Sequence, residues 1–64
     1  MTVGERMHLA ARGTIFTIVT PWSRSTNTRE FILSAYEDEF LKLKVAKEIP
    51  QEDGRVIIYT EGAQ

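Results

Sequence analysis

Residues Arg29 to Lys47, REFILSAYEDEFLKLKVAK, hold the densest apolar content of the 64-residue chain, and the fold depends on how they are read. As a helix, the stretch has Asn27 as N-cap and Glu30 as the capping-box partner three residues on. At about 100° per residue, Ile32, Leu33, Tyr36, Phe40 and Leu43 then share one side. Phe31, Leu41 and Val45 fall outside that arc, and Glu39 and Lys47 lie in or beside it, so charge and stripe are only partly opposed. As two strands, the stretch divides at Glu37-Asp38-Glu39. Phe31, Leu33 and Ala35 alternate before the acids, and Leu41, Leu43 and Val45 alternate with Lys42 and Lys44 after them, a period of two. The acidic tripeptide suits an exposed turn but has no Gly or Asn. The strand reading is the better match.

Working outward, Thr14 to Thr20 (TIFTIVT) predicts a strand, rich in β-branched and aromatic residues and closed by Pro21. Its apolarity on both faces predicts a central strand, or one covered on both sides. Upstream, Met7 and Leu9 alternate with Arg6 and His8 as in a short strand, and residues 1–4 read as a loosely held end. Pro21 to Thr28 (PWSRSTNT) reads as a polar loop whose Ser, Thr and Asn favour local side-chain to backbone bonds. Pro50 belongs at an edge or a bulge, and Asp53-Gly54 is a turn signal ahead of a further strand, Arg55 to Thr60 (RVIIYT).

Together these elements predict an all-β fold over a single small globular domain, 1–64: a four- to five-stranded antiparallel barrel or half-barrel, SH3-like or OB-like. The alternative is α+β, with one helix over about 28–47 packed on a small antiparallel sheet. A chain this short buries only about 60% of its unfolded surface. With no cysteine and one histidine, disulfide and thiolate-metal staples are excluded, which leaves oligomerisation as the available support. No apolar run has the length of a membrane span and no apolar signal core opens the chain, so a cytoplasmic protein away from membranes is expected.

The net charge of −1 does not mark a nucleic-acid binder, but the distribution is uneven. Residues 1–29 carry four arginines against Glu5 alone, whereas residues 37–64 carry seven acids against four bases. Trp22, beside Pro21 in the polar loop, is either an exposed binding side chain or a lid on the core. With Arg24 and Arg29 it could stack on bases and meet phosphates. Lys42 and Lys44, on one strand face with Phe40 and near Tyr36, could extend such a platform, or simply form a solvated edge. The candidate binding set is therefore Trp22, Arg24, Arg29, Tyr36, Lys42 and Lys44. His8 is tied to no nucleophile by a motif, and no phosphate loop, HExxH or paired-carboxylate pattern occurs, so no catalytic residue, metal ligand or cofactor is assigned. The sequence predicts a non-catalytic interaction module that docks on a partner protein or assembles with itself. A single-stranded nucleic-acid binder using the aromatic and basic set is the alternative.

Overall fold

In the computed structural model, which describes residues 1–63, the chain is an α+β domain. A helix α1 (Val3–Leu9) precedes the hairpin β1 (Ile15–Val19) and β2 (Arg24–Thr28). Two short helices follow, α2 (Arg29–Ala35) and α3 (Asp38–Leu41), and then the hairpin β3 (Val45–Pro50) and β4 (Val56–Thr60). The sheet order is β2-β1-β4-β3. Both hairpins are antiparallel, while β1 and β4 run parallel at the centre, Phe16 opposite Val56 and Ile18 opposite Ile58. Gln64 lies outside the described residues.

The predicted barrel is therefore incorrect. The sheet is mixed and open, with β2 and β3 as free edges. The Arg29–Lys47 stretch is neither two strands nor one helix: it gives α2, then α3, and only from Val45 a strand. Thr28, not Asn27, caps α2, its hydroxyl accepting from the Phe31 N–H at 3.2 Å. Glu30 completes no capping box; its carboxylate accepts from the Gly13 N–H at 2.9 Å, across the structure. The helix breaks at Tyr36, whose backbone is extended and whose hydroxyl bonds to Ser25 and Asn27 on β2. That tertiary tie accounts for the broken 3.6-residue period.

The other departures have causes of their own. Residues 3–9 form a helix because Thr2 and Glu5 make a complete capping box. Residues 1–4 are not loose: Val45 N–H donates to the Met1 carbonyl at 2.8 Å, Val3 N–H to that of Leu43 at 2.9 Å, and Val3 is fully buried. RSTNT, polar throughout, forms β2 because β1 supplies its ladder partners and its alternate residues Ser25 and Asn27 turn inward to Tyr36.

All three helices lie on one face of the sheet. Val3 and Met7 of α1, Ile32 of α2, Phe16 and Ile18 of β1 and Ile58 of β4 form the core, each almost wholly buried. Thr60, also fully buried, donates its hydroxyl to the Val19 carbonyl at 3.0 Å, so its desolvation is compensated where the two central strands end.

Two exposed carboxylates brace the N-terminal half. The Thr2 N–H and hydroxyl hold Glu5 below its ordinary value of 4.5, and the Gly13 N–H, followed by Arg29, does the same for Glu30. Since both are depressed on folding, their stabilisation is complete above pH 4.5 and is lost as pH falls through the lower folded values. The variant carrying Glu5→Gln and Glu30→Gln is expected to melt lower than wild type near neutral pH. It should lose less on acidification to about pH 3, as read by circular dichroism melts. Parallel loss in both proteins would assign the acid sensitivity to other groups.

Candidate functional site

The parity of the strands fixes what the uncovered face of the sheet presents. Phe16, Ile18 and Ile58 point toward the helices, so their alternating neighbours point away. Ile15 and Thr17 of β1 and Ile57 and Tyr59 of β4 occupy the middle of that face; Val19 shares their parity but is buried. Arg24, Thr26 and Thr28 of β2 flank one side, and Lys47 and Ile49 of β3 the other. Thr17 and Thr26 share a cross-strand hydroxyl hydrogen bond of 2.8 Å. Lys47 places its ammonium 4.7 Å from the centre of the Tyr59 ring. Arg55 follows the same parity just ahead of β4 and helps line a 370 Å³ depression with Ile15, Thr26 and Phe31. None of these face positions carries an acid. The strand TIFTIVT is thus central but covered on one side only.

The two edges differ. Arg29 N–H donates to the Thr14 carbonyl and Thr20 N–H to that of Ser23, and by antiparallel alternation Arg24 and Thr26 direct their backbone groups outward from β2. On β3 the Gln51 N–H to Arg55 carbonyl bond sets the same alternation, which turns Pro50 outward, where its missing N–H costs no ladder bond. A register shift between Val45 and Lys47 further breaks that edge. β3 is therefore protected against strand addition, whereas β2 is regular and open.

The structure disperses the sequence-predicted residues. Arg24 is exposed on the open face. Arg29 is committed to the fold: its Nε donates to the Met7 carbonyl at 2.7 Å and its Nη1 to Glu30 at 3.0 Å. Lys42 caps the C-terminus of α3, and Lys44 bridges to Thr2, so the expected strand platform with Phe40 does not form. Trp22 and Tyr36 do meet, at a separate cleft, but in the company of Glu37 and Glu39 rather than of arginines. Trp22 is 68% exposed and is no lid on the core. The residues that sequence reasoning missed are Ile15, Ile49, Ile57 and Tyr59. Their signal was available as the second apolar face of TIFTIVT and RVIIYT.

Among the described residues, no His, Cys, Asp and Glu cluster is placed to hold a metal ion. No helix among them is long and apolar enough to cross a membrane. In comparisons with known proteins, no family model, no curated protein and no solved structure matches this chain.

Proposed function

We propose that the chain is a non-catalytic interaction module that docks a partner protein on the open face of its sheet. The observation that supports this is Ile57 and Ile49, paired side by side on β4 and β3, with Ile15 and Tyr59, on a face that no helix covers. A contiguous apolar patch rimmed by polar residues is the usual mark of an interface. Arg24 and Lys47 rim it without an acid on the face, while Arg55 nearby is paired with Asp53 at 3.3 Å. The complementary surface is apolar at its centre and acidic at its margin. A second copy of this face would oppose cation to cation, so a different protein fits better than self-pairing. Aliphatic side chains dominate its middle and Tyr59, the aromatic there, is already engaged by Lys47, which favours a protein over stacked bases.

Photo-crosslinking from position 49 or position 26, with the exposed position 8 of α1 as control, tests the reading in the cells that make the protein. A discrete heterologous protein adduct from positions 49 and 26 only, weakened about tenfold or more by Ile57→Glu, is expected. An adduct of two copies, a nuclease-sensitive adduct, or equal labelling from position 8 would refute it.

A further inference from the structure

A second surface, away from the open face, has a different chemistry. Trp22, Tyr36, Phe40 and Leu43 line a cleft of about 530 Å³ that also carries Glu37 and Glu39. Local structure fixes both of its walls. On one side, the buried Thr20 hydroxyl accepts from the Trp22 N–H at 3.3 Å and the Ser23 N–H at 2.9 Å, and the Thr20 N–H donates to the Ser23 carbonyl at 2.8 Å. These bonds close the β1–β2 connection tightly around Pro21 and Trp22. Gly62, at φ 87°, backs this turn closely: a Cβ there would sit 3.4 Å from the Pro21 ring. The indole is therefore held outward by an ordered backbone while remaining largely solvent-exposed.

On the other side, Tyr36 is fixed at both ends. Its hydroxyl accepts from the Asn27 side-chain amide at 2.7 Å and shares a 2.9 Å hydrogen bond with Ser25. Its ring meets Phe40 edge to face, with centroids 4.5 Å apart. Glu37 stands at the N-cap of α3 yet makes no side-chain cap bond. Among the described residues, neither Glu37 nor Glu39 has a side-chain hydrogen bond or an ion pair to satisfy it within the chain.

Aromatic faces and free carboxylates around one opening complement a cation with an apolar stem. Ring quadrupoles attract the charge, the carboxylates supply the counter-charge and accept its N–H groups, and the rings and Leu43 pack the methylenes. The same two carboxylates oppose a phosphate or a nucleic-acid backbone. A purely apolar ligand would leave them without a role. From this geometry we infer that the cleft is a receptor for a cationic side chain, lysine or arginine, presented by a partner polypeptide. It is a binding site separate from the open sheet face, and either can fail without the other.

Trp22 is the only tryptophan, so its emission reports on the cleft directly. The probes are short blocked Gly/Ser peptides with a single central lysine or arginine, compared with their neutral counterparts acetyl-lysine and citrulline, and with n-butylammonium. The cationic peptides are expected to change the emission saturably, and the neutral ones to bind about tenfold more weakly or worse. Added salt should weaken the cationic peptides. The variant carrying Glu37→Gln and Glu39→Gln, both on exposed positions, should fold normally by circular dichroism and bind the cationic peptides about tenfold more weakly. Equal affinity for neutral and cationic peptides, an unchanged affinity in that variant, or no saturation by any peptide would overturn the inference. Binding of n-butylammonium as tight as that of the lysine peptide would overturn the assignment to a polypeptide.

Discussion

Replacing Phe16 by alanine is expected to remove about 3–5 kcal/mol of stability, a large share of the roughly 3–10 kcal/mol that a domain of this size commands. Phe16 is fully buried and sits in the central strand, where the helices and the sheet converge. Its ring also lies beneath the Arg6 guanidinium, 5.3 Å from the centroid, and Arg6 in turn bonds Glu48 of β3 at 2.8 Å. Truncation therefore opens a cavity and removes the surface on which that arginine rests. Urea unfolding followed by Trp22 emission and by far-UV circular dichroism measures the loss as a lowered midpoint at constant slope. Phe31→Ala, at a half-exposed aromatic of the same size, should cost under about 1 kcal/mol. A Phe16→Ala loss as small as that of Phe31→Ala would mean that the helical layer does not seat on β1 as described.

Arg29→Met should cost about 1.5–3 kcal/mol, the range for hydrogen bonds made by a charged group. Methionine keeps the apolar stem, so the loss isolates the guanidinium. That group joins three places at once: the Met7 carbonyl near the end of α1, the Glu30 carboxylate at the start of α2 and, through Glu30, the Gly13 N–H before β1. Arg29→Lys should recover less than half of the loss, because an ammonium cannot reproduce the Nε and Nη1 fork. Denaturant midpoints of the three proteins decide the matter. Wild-type stability in Arg29→Met, together with lost binding of any ligand, would return Arg29 to the surface role that its position in a polar run suggested.

That arginine illustrates what the sequence made legible and what it did not. TIFTIVT, RVIIYT and the Asp53-Gly54 turn could be read because their signals are local: β-branched runs and a glycine at φ 90°. The Thr2 to Glu5 capping box was equally local and was overlooked beside the alternation of Met7 and Leu9. RSTNT was unreadable as a strand, since nothing in it favours a ladder until β1 provides one and Tyr36 bonds its inward side chains. The break at Tyr36 has no glycine or proline to announce it. For the candidate surfaces, Trp22 and Tyr36 were conspicuous as residues, but their pairing with Glu37 and Glu39 depends on where the α2–α3 junction meets the β1–β2 turn. The open face was concealed because TIFTIVT, apolar on both faces, reads as a central strand or one covered on both sides.

The parallel pairing of β1 with β4 also constrains how the protein can come into being. The bond from the Thr60 hydroxyl to the Val19 carbonyl spans 41 positions, and the strand beside β1 at the centre of the sheet is supplied from beyond residue 55. A nascent chain that has emerged only as far as residue 50 has Phe16 and Ile18 but no Ile58 to close on them. Contacts so distant in sequence slow folding, because the loop must close before they are formed. The hairpins and helices can flicker locally during synthesis, but cooperative folding waits until residue 60 has emerged. Until then the apolar strand TIFTIVT has β2 on one side and lacks β4 on the other.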